Sequence, residues 1–471
     1  YERPDYFYIN QGDGTFANQL NSKVKHTCFT AMGVDAGDLN NDALLDFVAL
    51  DMQASDHYRS KTNMPSMRPD QFWKWVNQGY NYQYMTNVMQ VNNGAGFFSD
   101  VCQLAGIAST DWSWSVLLTD MDQDGQKDVF ITNGINRDIQ NNDFATAFED
   151  RMKSGQSLDL LQIAEEAPST KIPNFAFRNR GELEFDKSTS DWGLDDPSFS
   201  YGAAVGDLDG DGDLDLVVNN NNMPPFIYRN EAQGNSLVVE VSCGPSNPSG
   251  LGTKVAAFCE GKKQFHEITR VRGYQSSSEP IAHFGLANAS KVDSVIVFFP
   301  KGKIAKRYNV KANSRIAFDI ADASIQPYNV YGAIQPVFAE LTAALNLNFS
   351  HAEDDFDDFE REILLPHRQS RMGPGLAVGD ADGDGFEDVF FGGAAGQASV
   401  IALQRPNGFE HVSLPGRNEV VAGAFFDLEG DGDQDIYAAV GGSHLDPQDE
   451  GYTDVIYVND GLGKFTPLKV P

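Results

Sequence analysis

Five short stretches of the chain place oxygen-bearing side chains at a spacing suited to holding a divalent cation: GDLNNDALLDFV from Gly37, TDMDQDGQKDVF from Thr119, GDLDGDGDLDLV from Gly206, GDADGDGFEDVF from Gly379 and FDLEGDGDQDIY from Phe426. With the first aspartate as position 1, donors fall at positions 1, 3, 5 and 9. These are Asp38, Asn40, Asp42 and Asp46; Asp120, Asp122, Asp124 and Asp128; Asp207, Asp209, Asp211 and Asp215; Asp380, Asp382, Asp384 and Asp388; and Asp427, Glu429, Asp431 and Asp435. Alternate residues of a tight loop turn their carboxylates toward one centre, and Ca²⁺ takes about six to eight oxygens in flexible geometry. A carbonyl at position 7 can add a ligand, and the glycine at position 6 of four loops permits the positive φ of a sharp turn. Magnesium keeps more of its water, and zinc favours His and Cys, which the loops lack. Up to five Ca²⁺ sites are therefore expected. The Asp38 loop should be the weakest, with Asn40 at position 3 and Ala43 at position 6, and the Asp427 loop, with Glu429, intermediate.

These loops are not EF-hands. Position 12 is Ala49, Ile131, Val218, Phe391 and Ala438, each inside an apolar run, where an EF-hand needs glutamate followed by a helix. The elements that must position the donors are β-strands. A hairpin of aromatic, Asn, Gly, then Phe alternates with the loops at Tyr6–Phe16, Met89–Phe98, Phe175–Phe185 and Val455–Phe465. From Phe16 to Asp38, Phe98 to Asp120 and Phe185 to Asp207 the offset is 22 residues each time, which marks a repeated unit. The return spacing varies because of two insertions, Asp56–Tyr84, rich in Trp, Tyr, Met and Pro, and Ile135–Pro173, whose apolar spacing predicts a pair of short helices.

Repeats of about 40 residues with roughly four short strands each indicate β-propeller blades. The alternating hairpins and DxDxDG loops resemble the FG-GAP or VCBS repeats that form calcium-binding blades in integrin α subunits and many bacterial surface proteins. The expected class is all-β: calcium-binding propeller blades with an inserted small β-domain and a few helical insertions. Residues 1–234 read as a partial propeller, 235–320 as the β-domain, 321–335 as a linker and 336–471 as the start of a second propeller region.

The β-domain lacks a calcium loop and alternates with period two in LVVEVS, TKVAAFCE, SVIVFFP and RIAFDI. Its stretch ITRVRGYQSSSEPIAHFGLANASKVDSVIVFFPKGK resembles the ASPIC/UnbV module of cartilage acidic proteins and bacterial VCBS proteins. Arg270, Arg272, Tyr274 and His283 could line a recognition surface there, but a solvated strand face and a closed turn are the plainer readings. The run EDDFDDFE (353–360) reads as an amphipathic surface segment, with His367, Arg368 and Arg371 able to pair with it, rather than as a further cation site.

The net charge of -32 at pH 7 disfavours nucleic-acid binding. No apolar run approaches the roughly 18 residues of a membrane span. The first residue is Tyr1, so a processed product or fragment is expected, with blade counts incomplete at both ends. Four cysteines without CxxC spacing leave either two disulfides, Cys243–Cys259 across a hairpin and Cys28–Cys102, or four thiols.

No HExxH, GxSxG, P-loop or dinucleotide fingerprint is present, and the regularly spaced acids are already assigned to calcium, so no catalytic constellation is expected. The resemblance implies an extracellular or cell-surface binding scaffold. In its bacterial branch this is an outer-membrane lipoprotein of a Gram-negative cell, with protein partners in an outer-membrane transport or assembly complex. A carbohydrate-binding or carbohydrate-active propeller is the alternative, and the cluster Trp73, Trp75, Tyr80, Tyr82 and Tyr84 is the feature that bears on it, since aromatic faces stack on sugars, anchor proteins or pack inside an insertion.

Overall fold

Each acidic loop joins two antiparallel strands that register across its ends. Gly37 faces Asp46, Thr119 faces Asp128, Gly206 faces Asp215, Gly379 faces Asp388 and Phe426 faces Asp435. The computed structural model describes residues 4–63, 69–154, 165–325, 338–446 and 448–469, mostly as β-strand with few helices. It divides into two compact units, Tyr1–Gln335 and Pro336–Pro471.

The first unit holds three meandering sheets, here called blades. Val34–Gly37, Asp46–Ala49, Val88–Asn92 and Phe98–Asp100 form the first; Ser113–Thr119, Asp128–Asn133, Phe175–Asn179 and Phe185–Lys187 the second; and Ser200–Gly206, Asp215–Asn220 and Phe226–Tyr228 the third. The hairpins foreseen from Asn and Gly are the third and fourth strands of their blades, and Tyr8–Asn10 pairs with Phe16–Asn18 as a two-stranded sheet. The second unit contains two four-stranded blades, opening with Leu376–Gly379 and Val420–Phe426.

The middle blade of the first unit shows why its strands are apolar without a break. Asp128–Asn133 is buried along its whole length. Val129 and Ile131 enter a core shared with Val48, Leu50 and Met89 of the first blade, while Phe130 between them enters a core with Ala203, Val205 and Val218 of the third. Successive side chains of a strand point to opposite faces, so a sheet sandwiched between two others needs apolar residues on both. A comparable core, with Phe390, Ile401, Ile436 and Tyr457, joins the two blades of the second unit.

Both insertions leave the end of the blade opposite its acidic loop, between the second and third strands. In the first, helix His57–Thr62 starts at Asp56, whose carboxylate accepts from the Arg59 amide, and strand Tyr82–Tyr84 runs parallel to His26–Cys28. Of the helix pair expected in Ile135–Pro173, Asn142–Lys153 is observed, capped by Asn141. The stretch 155–164 expected to supply much of the other lies outside the described residues.

The small β-domain is a sandwich. Asn235–Ser242 lies between Ala282–Ala287 and, in parallel, Ser314–Asp319; a second sheet orders Lys262–Glu267, Lys254–Cys259, Lys291–Phe299, Lys303–Lys311 and Ser324–Ile325. Leu237, Val239, Phe284, Val255, Val295 and Val297 fill the space between the sheets. All four cysteines are thiols. Cys243 follows the first strand of one sheet and meets Thr253 Oγ1 at 3.3 Å, whereas Cys259 ends a strand of the other sheet, beside the Lys291 carbonyl.

The segment EDDFDDFE is not a solvated face throughout. Asp358 is buried and accepts from the Ser370 amide and hydroxyl and from the Ser443 hydroxyl, and Phe356 packs on the His444 ring at 4.7 Å. Its expected cationic partners are partly found: Arg368 stands 3.7 Å from Asp357, and Arg371 donates to the Asp354 carbonyl.

Candidate metal centres

The five loops share one internal architecture. The position-1 carboxylate accepts backbone amides across the turn: Asp38 from Asp42 and Ala43, Asp120 from Asp124 and Gly125, Asp207 from Gly210, Asp380 from Gly385, and Asp427 from Gly430, Asp431 and Gly432. The position-5 carboxylate accepts from the position-7 amide in every loop. Positions 4 and 6 both take positive φ, including Asn41, Gln123 and Ala43, which are not glycine. The second left-handed position was not anticipated from the sequence.

Position 9 has a role of its own. Asp46, Asp128, Asp215, Asp388 and Asp435 are all buried. In each, one carboxylate oxygen accepts the position-2 amide and the other accepts an amide at or just beyond the end of the third strand, from Asn92, Asn179, Asn230, Gln404 and Asn459 respectively, at 2.7 to 2.9 Å. The loop is thereby tied to its own sheet before any ion is considered.

The third-strand asparagine extends the brace to the preceding blade. Asn179 Nδ2 donates to the Lys127 carbonyl of its own blade and to Leu39 of the blade before, both at 2.9 Å. Asn230 does the same to Leu214 and Met121, and Asn459 to Gln434 and Ala381. The hairpin pattern assigns Asn179 and Asn459 to turns, and Asn230 lies outside it. Their fixed place just before each hairpin turn was the available signal, but the partner carbonyl lies up to 140 residues away.

Positions 1, 3 and 9 bring three carboxylates together in the Asp120, Asp207 and Asp380 loops, with oxygens within 4.8 Å of one another. The Asp38 and Asp427 loops make no such group among the described residues. In the former, the Asn40 amide is spent on the Asp42 carboxylate at 3.1 Å. Burial, followed by the charges of Asp124 and Asp122, pushes Asp120 up to about 8, and burial lifts Asp46 to about 7. Buried oxygens without a hydrogen-bond partner remain at Asp380 Oδ1 and Asp382 Oδ1. Converging hard oxygens, orphaned lone pairs and mutual repulsion fit a divalent cation of the calcium type.

Four side chains considered for outward recognition instead include three that fasten the β-domain onto the blades. Arg272 is buried, pairs with Asp35 at 2.5 Å and donates to the Leu118 carbonyl at 2.6 Å. Tyr274 packs on Trp114 at 5.0 Å and donates its amide to Ser115 Oγ, and His283 Nε2 donates to the Gly212 carbonyl at 2.9 Å. Arg270 alone stays outside, on Ser249. The same face reaches the loops themselves: Lys263 Nζ donates to the Asp42 carbonyl at 2.7 Å, the Ala287 amide to the Gln123 carbonyl at 2.7 Å and Ser236 Oγ to the Gly212 carbonyl at 2.7 Å. Lys127, of the second loop, donates back to the Phe265 carbonyl at 3.0 Å; burial pushes its ammonium down, while Asp38 and Asp120 oppose that.

The opposite ends of the blades carry a different kind of cluster. In the first unit Arg59, from an insertion, bridges Asp111 at 2.7 Å and Asp138 at 3.3 Å. In the second, buried Glu419 meets His444 Nδ1 at 3.2 Å, and His444 Nε2 meets Asp354 at 3.0 Å. Burial raises Glu419 to about 7; His444 opposes this, and Glu353 and Asp354 add to it. The aromatic insertion splits: Trp75 packs inward on Phe29, whereas Trp73, Tyr82 and Tyr84 surround Phe72 and are about 40% exposed.

Family comparison agrees with this architecture. The ASPIC and UnbV family model matches residues 244–325, and the FG-GAP-like repeat model matches 158–218 and 380–438. Both are non-catalytic in type. Cartilage acidic protein 1 of Homo sapiens is 30% identical over 252 residues, covering 47% of this chain and 38% of the relative; that of Mus musculus is 25% identical over 252 residues, covering 47% and 39%. The Xenopus tropicalis protein is 25% identical over 267 residues, covering 50% and 41%. The chain thus spans about two fifths of the length of the curated relatives it matches. The chain contains FG-GAP-like repeats and an ASPIC and UnbV domain, with weak similarity to cartilage acidic protein 1.

Proposed function

We propose that this chain is a calcium-stabilised extracellular or cell-surface scaffold for protein binding, in which the cations rigidify the loop ends of the blades and the insertions present the contacts. The observation that carries the reading is the loop architecture: five loops hold the same pattern of oxygen donors, and in three of them the carboxylate oxygens converge. All twenty position-1, 3, 5 and 9 residues named above are assigned as candidate ligands. Extracellular calcium is high enough to fill even weak sites of this kind, which supports a location outside the cell. Anchoring as an outer-membrane lipoprotein and service in an outer-membrane complex are the finer form of the same proposal. No helix among the described residues is long and apolar enough to cross a membrane.

Binding to the folded state alone stabilises by about 2.7 kcal/mol per site at 100 times the dissociation constant. Calcium is therefore expected to raise the melting temperature, and chelation to lower it. Melting that is unchanged in excess EGTA, with metal removal verified by elemental analysis, would refute the reading. The half-exposed rings of Trp73, Tyr82 and Tyr84 favour glycan binding as the second reading. Quenching of tryptophan fluorescence by oligosaccharides, lost in Trp73→Ala, would support it.

A further inference from the structure

Two of the three converging loops have a guanidinium seated on their ligand carboxylates. Arg178, beside the brace residue Asn179 on the third strand, places Nε 2.5 Å from Asp122 and Nη2 3.3 Å from Asp124. Arg405, beside Gln404 on the corresponding strand of the second unit, places Nη1 2.6 Å from Asp382 and 3.5 Å from Asp384. These carboxylates stand at positions 3 and 5 in both loops. The third converging loop also has an arginine beside its brace, Arg229 before Asn230 as Arg178 is before Asn179, whereas Arg405 follows Gln404; the Arg229 guanidinium pairs with Glu231. In the Asp38 and Asp427 loops the residues preceding the brace are Val91 and Val458.

We propose that Arg178 and Arg405 are internal counter-cations that compete with the metal for positions 3 and 5, and so set the affinity of their loops. The proposal rests on the calcium reading of the loops. Three clustered carboxylates repel one another. A guanidinium anchored on the neighbouring strand relieves that repulsion without an ion, and it offers a forked donor that matches carboxylate geometry. A divalent cation needs the same carboxylates, so binding must turn the arginine away or divide their oxygens with it. Each arginine is about one third exposed, which leaves it room to swing toward solvent. It follows that the Asp120 and Asp380 loops hold their shape better without metal, bind it less tightly than their charge alone would give, and exchange it more readily. The Asp207 loop, whose arginine is held aside by Glu231, is the tight site of the three.

The test uses the full chain with Arg178→Gln, Arg405→Gln and, as a control, Arg229→Gln. Each is titrated with calcium by calorimetry and melted in EGTA and in calcium. Arg178→Gln and Arg405→Gln are expected to tighten one site each by roughly threefold to tenfold, since exposed ion pairs are individually weak. They should also lower the melting temperature in EGTA, so that the shift caused by calcium widens. Arg229→Gln should change affinity less than either. Wild-type calcium binding with unchanged or weaker affinity in both test variants would overturn the competitor role while leaving the calcium sites in place. No calcium binding by the wild type would remove the calcium reading, and this proposal with it. Should either variant fold poorly, Arg178→Lys and Arg405→Lys keep the charge but lose the fork, and affinity midway between wild type and Gln is then expected.

Discussion

In the first unit Asp38 is fully buried and Asp120 nearly so beneath strands of the β-domain, whereas in the second unit Asp427 and Asp431 are exposed. The same loop pattern thus ends in a covered face in one place and an open one in the other. A carboxylate under a protein layer cannot be solvated, so it must be protonated, paired or metal-bound, while an exposed loop can wait in water for its ion. An ion taken up by the covered loops would therefore be linked to the seating of a whole domain, and one taken up by the open loops would not.

The sharpest way to break this comparison is to unseat the cover. Arg272→Ala leaves Asp35 buried without its partner, and loss of one member of a buried pair costs about 3 to 5 kcal/mol. In calorimetry the transition of the first unit should fall and that of the second stay; equal movement of both would erase the distinction. The brace is predicted to be the same on both sides. Asn179→Ala and Asn459→Ala each strand two carbonyls, and each should cost about 1 to 3 kcal/mol in its own unit, measured by denaturant unfolding.

Protonation offers a third comparison, because Asp111 and Asp138 face the permanent charge of Arg59, whereas buried Glu419 has two further carboxylates, Glu353 and Asp354, near it. Glu419 has a folded pKa raised to about 7 from an ordinary 4.5, so the folded state holds more protons than the unfolded one between those values. Stability of the second unit should therefore fall as pH rises through that window. Glu419→Gln should flatten the dependence and stabilise the unit by about 1 to 2 kcal/mol at pH 8. Stability that rises over the same window would contradict the assignment. The smallest effect is expected at Ala43, held at φ 74° yet packed against Ala256 and Phe265. Ala43→Gly relieves strain of about 1 to 2 kcal/mol but gives up that packing. Its net change in stability should lie within about 1 kcal/mol, with calcium at the Asp38 loop tightened by less than tenfold, as read by titration.

What was legible in the sequence was what repeats locally. Position 1, 3, 5 and 9 oxygens, Gly at position 6, and Asn-Gly hairpins each encode a constraint within a dozen residues, and the strands and loops lie where those constraints put them. Asn41 and Gln123 hid the second left-handed position because neither is glycine. Arg272 resembled one of a row of solvated strand residues, and nothing near it in sequence points to Asp35, 237 positions away. Arg178 and the brace asparagines escaped for the same reason: their partners are on another strand or another blade. The acid-rich EDDFDDFE misled because composition reports charge and not whether Ser370 and Ser443 are waiting to bond it.

The placement of the insertions has a consequence for how such a protein can diversify. They leave the first two blades at the end away from the acidic loop, while the brace, the candidate ligand carboxylates and the domain interface are gathered at the other. Material can be added, shortened or exchanged between the second and third strands without altering a single ligand or brace contact. One rim of the blades is thereby frozen by its wiring, and the opposite rim is left open to invention.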